Sequence, residues 1–320
     1  MKKLTRIIAT ALPLVFLAFG FSACKEKSTA GLKYTLKSDG TYEVSQGNTY
    51  NLEEIIIPSS YQGKKVTSVN ARSFNNSALK RIIIPESVTS MGQSTFIGCE
   101  NLQYTVKDEL KYLGNKDNPY LWLMGVESDE ITQATIHMLC KRIGVAVFKD
   151  CTHLTDVVMP NSVAFMGHSV FGRCTQLKNI TLSKSLTSIP INTFYGCDSL
   201  TSITIPDRIT SIEKSAFYSC DKLTSIKIPD CVTLIDKDAF HACDKLTSVT
   251  IGKGVTSISR NAFLFCDALT SVVFSDTSTW YMAFDEQAWQ NKTGGTEIDV
   301  TDSANNANHV IDFNCYFYKL

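Results

Sequence analysis

At 320 residues, with 44% hydrophobic and 19% charged residues, the chain is long and apolar enough to bury a sizeable core, which excludes a disordered protein. Its 31 basic and 31 acidic residues balance, so it lacks the basic excess that a nucleic-acid binder carries. The first predicted element is a leader: Lys2, Lys3 and Arg6 precede the uncharged apolar run from Ile7 to Phe21, which is short for a membrane span.

The stretch Phe21-Ser22-Ala23-Cys24 ends that run and resembles the lipobox of bacterial lipoproteins. The resemblance implies that residues 1–24 are a cleaved signal and that Cys24 is lipidated on sulfur and becomes the first residue of the mature chain. The expected location is therefore the bacterial cell envelope, at the outer membrane or cell surface, with the lipid holding the protein to the membrane. Loss of residues 1–24 takes away three basic and no acidic residues, leaving 28 basic against 31 acidic. Residues 25–49 read as a tether and N-terminal cap.

From about residue 50 the chain repeats. Phenylalanine recurs at Phe74, Phe96, Phe148, Phe171, Phe194, Phe217, Phe240 and Phe263, at intervals of 22, 52 and then five of 23. Cysteine follows three residues later at Cys99, Cys151, Cys174, Cys197, Cys220, Cys243 and Cys266, with Ser77 in its place after Phe74. A fixed period of this length predicts a solenoid, whose units cannot bury their apolar faces alone and stack on one another. Within a unit, C-x-x-L-x-x-I-x-I places Leu223, Ile226 and Ile228 inward with Thr, Ser or Lys between them, a strand with one buried side. Pro85, Pro160, Pro206 and Pro229 end these strands, since proline has no N–H for the ladder. A shorter apolar pair follows, as in Ile209 to Ile212, and predicts a second parallel ladder.

The interval of 52 residues between Phe96 and Phe148 exceeds two periods by six. Ile131, Ala134 and Ile136 hold the places of Leu200, Ile203 and Ile205 in a degenerate coil. The excess belongs to residues 104–127, where Gly114 to Pro119 is turn chemistry between two apolar strands. This predicts a β-hairpin protruding from the solenoid, either a functional insertion or a spacer.

The frame A-F-x-x-C-x-x-L-T-S-I-x-I-P-x-x-V-T-S-I resembles the BspA-like leucine-rich repeats of bacterial surface proteins and runs from about residue 50 to residue 274. The segment from Gly40 to Val69 is similar to the opening coil of such proteins. The resemblance implies a mainly β leucine-rich-repeat solenoid of stacked 23-residue coils with parallel strand ladders and a C-terminal cap. It also implies adhesion, because BspA-like proteins include adhesins that bind matrix and plasma proteins. The expected partners are host extracellular-matrix or plasma proteins, or surface proteins of partner cells, and the chain is expected to act as a monomer.

Ten cysteines besides Cys24 could form a disulfide framework in a chain that leaves the cytoplasm. Seven of them hold one place in successive coils, and an odd column cannot pair completely, so a buried thiol ladder is the competing reading. No C-x-x-C pair suggests a metal, the five histidines fall at unrelated positions of the repeat, and no motif orients a nucleophile beside a base. No cofactor, metal or catalytic residue is expected.

Outward positions of the first ladder in the regular coils present Lys178, Thr181, Thr201, Thr204, Thr224, Lys227, Thr247 and Thr250, the candidate ligand-binding residues. Threonine suits exposed strand positions, and its hydroxyls are expected to satisfy one another between coils. Residues 275–320 break the period and hold Trp280, Tyr281, Phe284, Trp289, Phe313, Tyr316, Phe317 and Tyr318. They read as the cap that an open solenoid end needs. The alternatives are a carbohydrate-binding surface protein using these aromatics, or a structural envelope protein.

Overall fold

The computed structural model describes residues 28–276, 278–311 and 316–319; the leader, Cys24 and Cys315 lie outside them. Stacked coils, about ten in number, form a β-solenoid with little helix. Each regular coil has three sides: a strand of a first ladder, a strand of a second ladder, and a turn flank that carries the repeated phenylalanine.

Register in both ladders steps by one period. On the first, Ala134 pairs with Val157 and Val157 with Ile180, while Ile226 pairs with Val249 and Val249 with Val272. The degenerate coil thus takes its place in the stack through the strand Gln133–Thr135. On the second, Ile189, Ile212, Ile235 and Ile258 succeed one another in parallel. Strict repetition of the inward residue type explains the pairing, because a slip of one residue would turn every isoleucine outward.

The interior is built of columns. From Phe148 to Phe263 the rings are fully buried and stack face to face, with centroids 5.0–5.5 Å apart and planes within 17°. The cysteines form a second column of free thiols. The Cys220 Sγ donates to the carbonyl of Phe194 at 3.2 Å, and Cys174, Cys197, Cys243 and Cys266 do the same to the phenylalanine of the coil before. Each thiol thus adds a donor to a carbonyl of the turn flank, and the carbonyls of Phe148, Phe171, Phe194 and Phe217 also accept the N–H of the cysteine three residues on, so a weak donor of small volume suits the place.

Two expectations are corrected. The hairpin of residues 104–127 does not protrude. Strands Thr105–Lys107, Leu110–Leu113 and Trp122–Val126 form an antiparallel sheet, and Trp122–Val126 then continues in parallel into Arg142–Ile143 of the second ladder. Leu110, Tyr112, Leu121, Trp122 and Leu123 are all fully buried, and burying that much aromatic and aliphatic surface outweighs projection into water. The threonine hydroxyls, secondly, do not bond one another in the regular coils, although those of Thr41 and Thr67 do so at the N-terminal end, at 2.7 Å. Thr210, Thr233 and Thr256 donate to the main-chain carbonyl of the threonine one coil earlier, at 3.0–3.3 Å.

At the N-terminal end, the strands Lys33–Leu36 and Tyr42–Ser45 form an antiparallel hairpin whose second strand lies parallel to Lys64–Val69. At the other end, Tyr316–Lys319 runs antiparallel to both Ser257–Ile258 and Trp280–Ala283. The helix Ser303–Ile311 packs near the strand Ser271–Phe274, with the Asn306 amide donating to the Val272 carbonyl at 3.2 Å.

Candidate binding face

The first ladder presents two kinds of outward side chain. Thr224, Thr247 and Thr270 are exposed but donate to the main-chain carbonyls of Thr201, Thr224 and Thr247, at 3.0–3.4 Å. Their hydroxyls are therefore occupied in holding one coil to the next. The neighbouring column, Val158, Thr181, Thr204, Lys227, Thr250 and Val273, points away from the core. Among the described residues, the side chains of Thr181, Thr204, Lys227 and Thr250 make no hydrogen bond or ion pair within the fold, and the exposed Lys178 side chain makes none either. Of the eight sequence candidates, then, the side chains of Lys178, Thr181, Thr201, Thr204, Lys227 and Thr250 make no hydrogen bond among the described residues and can meet a ligand, while the hydroxyls of Thr224 and Thr247 are already used. Val158 and Val273, about half exposed, frame the polar stretch with apolar ends.

This face is not uniform. Between the strands Asn179–Thr181 and Ser225–Lys227 the intervening segment 202–205 belongs to no ladder. Among the described residues, its main chain makes no hydrogen bond to either neighbouring coil, and the nearest such bond is that from the Thr224 N–H to the Thr201 carbonyl, 3.2 Å. Ile180 and Ile203 are only half-buried, whereas Val157, Ile226 and Val249 in the same column are buried. A cleft of about 520 Å³ lies here, walled by Leu182, Ile205 and Pro206 and edged by Lys184, Asp207 and Arg208. On the turn flank the same coils remain bonded, with the Phe194 N–H donating to the Ala216 carbonyl at 2.8 Å and the Phe217 N–H to the Ala239 carbonyl at 2.7 Å.

One coil earlier the second ladder is interrupted, between Phe165–Met166 and Ser188–Ile189. Here a physical cause is visible. At the corresponding place on other coils the N–H of Gly167, Glu213, Asp236 or Ser259 donates to the coil before, at 2.8–2.9 Å. Pro190 stands in that place and has no N–H to give.

A surface that sequence reasoning missed runs along the turn flank. Tyr195 stacks on Tyr218 at 5.0 Å and Tyr218 on His241 at 4.6 Å, with Phe265 edge-on to His241 at 5.1 Å. Tyr195 and Phe265 are exposed. Burial holds the His241 imidazole below its ordinary value of 6.5, against the opposing pull of Asp238. The signal was present as an aromatic residue following Phe194, Phe217 and Phe240.

The C-terminal aromatics are largely committed to packing. Trp280 is 1% exposed and lies 4.8 Å from the Phe274 ring, and Tyr316, Phe317 and Tyr318 are buried. Trp289 donates through Nε1 to the Phe317 carbonyl at 3.2 Å and stacks on Tyr316. A sugar has no access to Trp280. Among the described residues, no helix is long and apolar enough to cross a membrane.

Comparison with known proteins agrees with this architecture. The family model described as BspA type leucine rich repeat region matches in six copies over residues 19–116, 126–201 and 164–294. No curated protein matches the chain. Similar solved structures include a leucine-rich repeat protein from Bacteroides ovatus, 22% identical, with 79% of this chain and 72% of that one covered and a TM-score of 0.42. Another is a leucine rich cell surface protein from Faecalibacterium prausnitzii, 18% identical, with 85% and 98% covered and a TM-score of 0.41. A third, a leucine-rich repeat protein from Eubacterium ventriosum, is 19% identical over 74% of this chain and 93% of that one, with a TM-score of 0.42. No catalytic family is indicated. With a repeat frame, a stacked fold and a family match that together span most of its length, the chain belongs to the BspA-type leucine-rich repeat family.

Proposed function

We propose that the protein is a lipid-anchored, non-catalytic binding scaffold of the bacterial envelope. Its first-ladder face holds host extracellular-matrix or plasma proteins, or surface proteins of partner cells. The observation that carries this reading is the unengaged column: the side chains of Thr181, Thr204, Lys227 and Thr250 point outward from the stack and, among the described residues, make no hydrogen bond or ion pair. A row of free hydroxyls and an ammonium on adjoining coils suits broad polar contact with a protein surface, the use that repeat scaffolds serve. The leader ending at Cys24 supports anchoring.

The test is binding of purified residues 25–320 to immobilised fibrinogen and fibronectin beside a glycan panel. A variant carrying Thr181→Glu, Thr204→Glu, Lys227→Glu and Thr250→Glu, verified as folded by circular dichroism, serves as the control. Saturable protein binding that the variant loses is the expected result. Glycan binding that the variant retains, with no protein binding, overturns the reading. Anchoring is tested separately: Cys24→Ala is expected to move the protein from the membrane fraction to the soluble one, and retention in the membrane would refute lipidation at that residue.

A further inference from the structure

The opening in the first ladder has three properties that together specify an occupant. Its walls are strand edges. Among the described residues, the main-chain N–H and C=O groups of segment 202–205 have no partner on either side, and the edge of the strand Asn179–Thr181 that faces it has none either. An unpaired edge is a template for another strand, and capture of an extended peptide by such an edge is a recurring mode of recognition.

Its lining continues the pattern of the ladder. Ile180 and Ile203 lie half-buried beside the cleft, and Leu182, Ile205 and Pro206 line it. An extended peptide with alternating apolar residues would place its own aliphatic side chains in this column, since strand side chains alternate between faces. Interruption of the column at one coil leaves apolar surface that the rest of the column buries.

The charged residues of its lining gather at one end. Lys184 and Arg208 stand with Asp207 beyond the C-terminal ends of the two wall strands, and neither cation makes an ion pair among the described residues. A peptide lying parallel to its neighbours, as every internal strand of this ladder does, brings its own C-terminus to that end. Two cations against one carboxylate leave net positive charge for the peptide's terminal carboxylate, and the arginine offers a planar fork for it.

We infer that the slot between residues 179–184 and 202–208 binds an extended peptide strand that ends in a free carboxylate, adding it in parallel to the first ladder. The inference rests on the proposed binding role of this face, and it narrows the partner to a protein whose C-terminal segment is extended and aliphatic at alternate positions. Closure on the turn flank and pairing of Ser188–Ile189 with Ser211–Ile212 on the second ladder let the slot open on one side without separating the coils.

Hydrogen exchange on the full mature chain, free and with a synthetic probe, tests the slot. The probe is the acetylated hexapeptide Leu-Thr-Ser-Ile-Thr-Ile with a free carboxylate, compared with its C-terminal amide and with a version N-methylated at alternate residues. In the free protein, amides of 202–205 are expected to exchange far faster than those of 225–228; equal protection would show a closed ladder and overturn the inference. Saturable probe binding is expected to protect 180–182 and 202–205, to weaken about tenfold on N-methylation, which removes two or more main-chain bonds, and to weaken several-fold on amidation. Binding indifferent to N-methylation, or no binding, overturns it.

Thr204→Pro removes an N–H that makes no bond among the described residues and is expected to abolish binding. Lys184→Glu with Arg208→Glu alters only exposed side chains and is expected to erase the preference for the carboxylate over the amide. Should the proline variant misfold, the charge variant decides. The fibrinogen and fibronectin assay with the four-residue variant is scored independently, so failure of the slot leaves the wider binding face testable.

Discussion

Among single residues, the buried cysteines illustrate how one atom can serve both packing and hydrogen bonding. Cys220→Ala removes the second donor to the Phe194 carbonyl, which keeps the Cys197 N–H at 3.1 Å, at a cost of about 1 kcal/mol, while Cys220→Ser retains a donor and is expected to cost less. Comparison of urea midpoints for the two variants checks the order, and a less stable serine variant would refute the hydrogen-bonding role. Burial pushes the thiols of Cys140 and Cys151 up to about 11 from an ordinary value of 9.0, and those of Cys197 and Cys220 well above it. A group raised in the fold contributes stability that is full below its unfolded value and is lost as pH climbs through the folded one. Stability is therefore expected to fall between about pH 9 and pH 11, read as a declining urea midpoint from pH 8.5 to 10.5; a flat profile would contradict it. Alkylation at pH 8 followed by peptide mapping is expected to modify Cys231, the exposed cysteine among the described residues, well before any member of the column. Sequence alone left thiols and bridges as open alternatives, because spacing reports which cysteines share a column and not what each sulfur touches.

For the strand elements, the first ladder was legible and its defect was not. A 23-residue frame with inward Leu, Ile and Ile specifies strand, face and register together, so the pairing of Ile226 with Val249 follows from it. The segment 202–205 carries the same frame, Leu200, Ile203 and Ile205, yet makes no ladder bonds. Frame residues determine which side faces inward, whereas ladder closure depends on the separation of two coils, which no residue pattern records. Pro190 was visible in the sequence but had no meaning until the donors at Gly167 and Glu213 were located. Pro190→Ala is expected to restore a bond to the Met166 carbonyl and to protect the amide of residue 190 as strongly as that of Glu213. Its effect on stability stays within about 1 kcal/mol, because a gained hydrogen bond is offset by the lost rigidity of proline. An unprotected amide at residue 190 would refute that account of the break. The hairpin of residues 104–127 was misread for a related reason: its turn signal, Gly114 to Pro119, was clear, but whether a hairpin projects or folds inward depends on its neighbours. Trp122 and Tyr112 had a core to enter.

Across the whole molecule, an open stack must close both ends. Tyr316–Lys319 covers the last strand of the second ladder, and Lys319 fastens it by donating to Asp276 at 2.8 Å and to the Lys253 carbonyl at 2.6 Å. Truncation after residue 311 is expected to bare the edge of Ser257–Ile258 and the Trp280 ring, and to give concentration-dependent association in analytical ultracentrifugation; a truncated chain that stays monomeric would show that the final strand is dispensable. The family and the repeat were legible in the sequence because they are periodic, while the cap was readable only as a break in period and the free column only once competing hydrogen bonds had been placed. The phenylalanine stack adds a consequence about length. Since coils 198–220, 221–243 and 244–266 meet their neighbours through equivalent rings and thiols, a gene carrying residues 221–243 twice would encode a molecule one storey taller, by about 4.7–4.9 Å, with both ends unchanged. Duplication of a segment that is not a whole storey would shift the phenylalanines that follow it out of the ring column. Height is thus a quantity that recombination can adjust in single steps, and with it the length of the face that the stack presents.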